Sequence, residues 1–279
     1  MFGLFLLQLT TSPGNRTSQH LSPLQHTYSM IPLWLQAGLY GLLAGLALVV
    51  GAVTGCFVPI KQRVVAGIMA FGSGVLVSAL SFELMGEAYE RGGFDATVVG
   101  FLAGAAIYTF ANWVLAKQGA KHRKRSGKQQ PSESEESGSG MALAIGSLID
   151  GIPEAMVIGI SMIAGGAVSM VALIAVCLSN VPEGLSSAVG MKNAGRSKAY
   201  IFGVWGSIAL ILGFASLAGY TVFSGLPDDV IAATTALAAG AILAMVSDTM
   251  IPEAFEQAHN MTGLITVLGF LVAFVLSHL

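Results

Sequence analysis

Charge is scarce in this sequence: Asp, Glu, Lys and Arg make up 10% of its 279 residues, hydrophobic residues make up 54%, and the mean hydropathy is +0.74. A water-soluble globule of this length would carry about a quarter charged residues. The composition therefore excludes that class and points to an integral membrane protein. A formal net charge of −2 gives nucleic acid nothing to bind. Cysteine is nearly absent, and Cys56 and Cys177 both fall in apolar segments, without the spacing of a disulfide framework or a thiolate metal site. Histidine is missing from the middle of every apolar segment, since the five stand at 20, 26, 122, 259 and 278. Lysine and arginine are missing from those segments altogether, so whatever acids lie there have no cation of their own.

What is present is a succession of apolar runs long enough to cross a bilayer, for which about 20 residues suffice. The expectation is an all-α polytopic membrane protein with eight transmembrane helices, near 33–58, 64–89, 95–116, 141–164, 167–190, 199–222, 229–255 and 262–278. This divides the chain into a flexible N-terminal tail (1–32), helices one to three (33–116), a disordered cytoplasmic loop (117–140) and helices four to eight (141–279). The loop runs from the basic cluster Lys121, Arg123, Lys124, Arg125 and Lys128 into a Ser/Glu/Gly-rich tract whose composition favours disorder. In the tail, Phe2 to Leu9 is apolar but lacks a basic n-region, Asn15-Arg16-Thr17 is a glycosylation acceptor only in a eukaryotic source, and His20 and His26 are incidental.

Basic residues set the orientation. Lys61 and Arg63, the 121–128 cluster, and Lys192, Arg196 and Lys198 occupy alternate connections, which the positive-inside rule makes cytoplasmic. The opposite connections hold Arg91, Asp95, Asp228 and Asp229. Both termini are then external, in a multi-pass protein of the cell membrane.

Acids inside this apolar chain are the main clue to chemistry. Asp150-Gly-Ile-Pro-Glu154-Ala and Asn180-Val-Pro-Glu183-Gly occur on the fourth and fifth spans, with Asp150 and Glu154, and likewise Ser179 and Glu183, one helical turn apart. Pro153 and Pro182 each remove a backbone donor and free a carbonyl one turn back, at Ile149 and Leu178. Interior acids on broken helices mark cation pathways, because a buried carboxylate must be protonated, paired or metal-bound. Related phrases end the second span (Glu83-Leu-Met-Gly-Glu87-Ala) and the seventh (Asp248-Thr-Met-Ile-Pro-Glu253-Ala). Those spans run in opposite directions, which suggests an inverted repeat of helices 1–3 and 6–8 around helices 4 and 5.

A site of Asp150, Glu154, Asn180 and Glu183, with Ser179 as a weaker contributor, is dominated by oxygen and suits Mn²⁺ or Fe²⁺ as well as Zn²⁺. Glu83 and Glu87 are expected to gather ions at the outer mouth, and Asp248 and Glu253 to receive them near the inner one. A membrane-embedded hydrolase would use paired acids too, but no nucleophile–base pair accompanies Ser179. A proton-coupled exporter remains an alternative, since orientation is easier to read than the direction of flow. No enzyme activity and no cofactor other than the transported ion are expected.

These motifs resemble the ZIP (Zrt/Irt-like protein) family of divalent metal transporters over residues 33–279. The family carries His-Asn-x-Pro-Glu-Gly on both central helices. Here the fifth-helix copy has Ser179 at the His position and keeps Asn180, Pro182, Glu183 and Gly184, while the fourth-helix copy has Asp150 and Gly151 in place of His and Asn. The resemblance implies uptake of divalent ions toward the cytoplasm, one or two ions per site, an elevator-like movement and a homodimer in the lipid bilayer.

Overall fold

The computed structural model describes residues 31–278 apart from 127, 129, 133, 136–138 and 166, together with the backbone but not the side chains of 140, 164 and 165. The expectations for the tail at 1–30, including Asn15, His20 and His26, lie outside the described residues. Among the described residues the architecture is helical throughout: α1 (Leu33–Phe57), α2 (Gln62–Ala79), α3 (Met85–Ala116), α4 (Ser139–Gly165), α5 (Met170–Asn193), α6 (Lys198–Phe223), α7 (Asp228–Met245), α8 (Ile251–Ala258) and α9 (Thr262–Leu276). Wide π-helical turns join α2 to α3 at Leu80–Leu84 and α7 to α8 at Val246–Met250.

Among the described residues six helical stretches are long and apolar enough to cross a membrane, so the chain is a multi-pass membrane protein. Two of them are double length. At a rise of about 1.5 Å per residue, the 55 residues of Gln62–Ala116 would run well over twice the thickness of a bilayer core. The backbone departs from helix inside each long stretch, at Gly93 (φ 70°, ψ −170°) and at His259 (φ 46°, ψ −121°). Gly93 sits in a region that side chains with a Cβ scarcely tolerate. The outward faces are greasy, with Phe110 and Phe214 each about two-thirds exposed (66% and 68%), as a surface bathed in lipid requires.

Small residues set how closely the helices approach. A Cβ on Gly51 would strike the Val181 carbonyl, and one on Gly184 would strike Leu48, so α1 and α5 touch backbone to backbone. The same reciprocal contact occurs between α2 and α9 (Gly74 and Gly269), α3 and α7 (Gly104 and Gly240), and α4 and α6 (Gly159 and Gly219). The α1–α5 contact fixes the height of Asn180, whose side-chain nitrogen donates to the Ala44 carbonyl at 2.8 Å. The three interior acids of α4 and α5 thus hang on helices that are clamped from outside by glycine.

Residues 117–140, expected to be a disordered linker, fold inward over much of their described length. After Ala116 the chain turns at Gly119 in the left-handed conformation (φ 94°), makes a 3₁₀ turn at Ala120–His122, and carries Arg123, Lys124, Ser126 and Gln130 to buried positions. Gln130 pins the segment by donating to the carbonyls of Arg123, Arg125 and Ser187 at 3.0–3.2 Å.

Candidate metal site

Asp150 and Glu154 on α4, and Ser179, Asn180 and Glu183 on α5, are all buried, at 0–3% exposure. Asp150 and Glu183 meet at Lys124, and Glu154 feels the charges of all three, whereas Ser179 and Asn180 bond to the Val176 and Ala44 carbonyls. What sequence reasoning missed is that two cations join them from residues 117–140, so the expectation of acids without a cationic side chain does not hold.

Arg123 meets Asp150 through two parallel hydrogen bonds, Nε to Oδ2 and Nη2 to Oδ1, each 2.8 Å long. The remaining guanidinium hydrogens reach Asn112 Oδ1 and the Tyr108 hydroxyl, both at 2.8 Å, and the Ala120 carbonyl at 3.3 Å. Tyr108 in turn donates to Asp150 Oδ1 at 2.7 Å. Such a fork of charge-assisted bonds orients both partners. Asp150, expected as a free ligand, is fully committed to it.

Lys124 Nζ lies 2.8 Å from Glu183 Oε1 and 3.4 Å from Asp150 Oδ2, and both partners of the closer pair are buried. Glu154 differs from its neighbours. Neither of its carboxylate oxygens meets a hydrogen-bond donor among the described residues, and the same holds for Asn180 Oδ1. The charges acting on Glu154 are those of Glu183, Lys124 and Asp150. Glu154 also lines a narrow apolar cavity with Leu76, Val157, Val176 and Ile242, and with Leu80 and Leu84 of the π turn that carries Glu83. Ser179 turns its hydroxyl to the Val176 carbonyl at 2.9 Å and is spoken for. Among the described residues no three His, Cys, Asp or Glu side chains converge closely enough to hold a metal ion.

The flanking acids divide in two. Glu83 accepts a long bond from the Ser169 hydroxyl (3.4 Å) and Glu87 pairs with Arg91 at 3.2 Å, both half-buried. Asp248 is exposed on its π turn, apart from the central acids, whereas Glu253 on α8 is buried. Glu253 Oε1 accepts from the Ser126 backbone amide (2.9 Å), the Ser126 hydroxyl (2.7 Å) and the Ser186 hydroxyl (3.0 Å). Arg125 binds the Pro252 carbonyl at 3.0 Å and pairs with Glu256. Beside it, burial first, then the charges of Arg125 and Lys121, hold the His122 imidazole below its ordinary pKa and so in the neutral form near pH 7.

One signal in the sequence pointed to Arg123 and Lys124. Three acids in an apolar interior demand compensation, and the 121–128 cluster is the nearest source along the chain to Asp150. Tyr108 and Asn112, one turn apart in the mostly apolar second half of α3, mark the polar face that receives it. No model of a known protein family matches the chain, and no curated protein matches it.

Proposed function

We propose that this chain is a ZIP-like carrier of divalent transition-metal ions, of the Zn²⁺, Fe²⁺ and Mn²⁺ class, moving them toward the cytoplasm through Glu154, Glu183 and Asn180. The observation that carries the reading is Glu154, a buried carboxylate next to Pro153 on α4 whose two oxygens meet no donor among the described residues. An acid so situated needs a proton or a cation. Asn180 Oδ1, also without a donor, and Glu183 supply further oxygens on the facing helix, a donor set that suits these ions.

The architecture we propose around the site is eight membrane crossings with an inverted repeat. The departures from helix at Gly93 and His259 support it by dividing the two double-length stretches. So does the register of the two halves: one constant offset along the chain carries Gly74 onto Gly240, Leu80 onto Val246, Glu87 onto Glu253 and Gly93 onto His259. The close pairing of α2 with α9 then corresponds to that of α7 with α3, while α1 pairs with α6, its own counterpart. On the charge pattern residues 117–140 face the cytoplasm and the termini lie outside in the cell membrane. Glu83 and Glu87 would receive ions on the outer side, and Asp248 and Glu253 would flank the inner one. The family resemblance adds a homodimer.

The test is uptake into proteoliposomes that hold a chelating dye, with Zn²⁺, Mn²⁺, Fe²⁺ or Cd²⁺ outside, comparing wild type with Glu154→Ala and Glu183→Ala. Saturable uptake that both substitutions abolish is expected. Folded wild-type protein that passes none of the four ions overturns the reading, and flux only out of preloaded vesicles transfers it to the exporter.

A further inference from the structure

We propose that Lys124 is a tethered competitor for the transported ion and Arg123 its fixed anchor, so that residues 120–126 close the site from the loop side until a metal ion displaces the Lys124 ammonium from Glu183. The proposal rests on the metal-carrier reading above and adds to it what the loop does.

The two cations are held very differently. Arg123 makes bonds to Asp150, Tyr108, Asn112 and the Ala120 carbonyl, using all sides of its planar fork. Removing it would leave buried Asp150 with only the Tyr108 hydroxyl and, at 3.4 Å, Lys124, so it stays. Lys124 has only ion pairs, to Glu183 and, at longer range, Asp150. Its flexible four-carbon stem lets the ammonium swing away without moving the backbone far. The ammonium and a divalent ion both need the Glu183 carboxylate, and the two positive charges cannot share that space.

Counting charges gives the same division. Arg123 offsets Asp150 and Lys124 offsets Glu183, which leaves Glu154 as the acid without a partner. A divalent ion that takes the place of Lys124 between Glu154 and Glu183 neutralises both carboxylates at once. Asp150 stays with Arg123, so the site accepts one ion.

The segment is also docked by contacts away from Asp150, Glu154 and Glu183. Ser126 gives its amide and hydroxyl to Glu253, and Ser186 binds both Glu253 and the Lys124 carbonyl. Gln62 and Asn193 donate to the Ser126 carbonyl at 3.3 and 3.1 Å. Glu253, expected to receive ions at the inner mouth, is here the latch of the plug.

Because only the fraction of molecules with Lys124 displaced binds metal, the apparent affinity is reduced by that fraction. In the proteoliposome assay, Lys124→Gln should lower the KM for Zn²⁺ about tenfold or more, while Glu154→Gln loses uptake. An unchanged or higher KM in folded Lys124→Gln overturns the competitor, whereas wild-type-like uptake by Glu154→Gln overturns the carrier reading itself. If Lys124→Gln does not fold, a second pair of changes decides. With Cys56 and Cys177 replaced by alanine, Ser126→Cys and Ser186→Cys are joined by copper phenanthroline oxidation of the two thiols to a disulfide. Uptake should stop on oxidation and return with dithiothreitol, and full uptake by cross-linked protein overturns the proposal.

Discussion

Arg123 and Asp150 are each at most 1% exposed, and the guanidinium spans Oδ1 and Oδ2 while holding Tyr108 and Asn112. Two charges taken from water need such complete bonding to break even. Removing one partner alone is costly, because the other is left charged in an apolar interior. Arg123→Met is therefore expected to cost about 3–5 kcal/mol, measured as a lower Tm in detergent. Adding Asp150→Leu to it should restore most of the loss, since neither charge then remains. A single variant as stable as wild type would mean that the fork contributes orientation only. Lysine at 123 is no conservative change, because an ammonium cannot make the fork.

At the scale of the helix, the two places where the backbone leaves helical geometry have opposite solutions. Gly93 takes φ 70° without a Cβ to clash, whereas His259 takes φ 46° with one. Gly93→Val should destabilise by about 1–3 kcal/mol, while His259→Gly should be neutral or raise Tm by relieving strain at the corresponding point of the second half. Tm values for the two variants, compared with wild type, check this, and a rise for Gly93→Val would contradict it. The π turns preceding these breaks widen the helix at Leu80–Leu84 and Val246–Met250. Each puts an acid, Glu83 or Asp248, where the bonding ladder is loosened. Helix propensity alone would not have located them.

For the molecule as a whole, oxygen ligands that bind a metal ion must give up protons to do so. On the proposed function, uptake at subsaturating metal should rise as pH rises toward neutrality and fall as protons refill Glu154 and Glu183. Initial rates across pH 5.5–7.5, with the ion held well below KM, test this, and a rate that climbs as pH falls would instead point to transport driven by inward proton flow. The loop adds a second dependence at this scale. The Arg123–Asp150 and Lys124–Glu183 pairs are buried and poorly screened by salt, so ionic strength should change uptake little, in contrast to a loop held at the surface.

Much of the architecture was legible in the chain because its causes are local. A helix that crosses lipid must be apolar over about 20 residues, and an acid that interrupts it stands out by composition, which is how Asp150, Glu154, Asn180 and Glu183 were found. All four are buried along α4 and α5, and Asp150 and Glu183 meet at Lys124. What the chain did not disclose is where the loop goes. A basic cluster following a membrane helix reads the same whether it rests at the water interface or folds back among the helices, because composition and spacing are identical in both. Only the tertiary structure decided it, through partners far apart in sequence: Tyr108 and Asn112 on α3, Asp150 on α4, Ser186 on α5 and Glu253 on α8. Desolvation is the physical reason. Three acids shielded from water attract whichever cations the chain can deliver, and residues 120–126 deliver two.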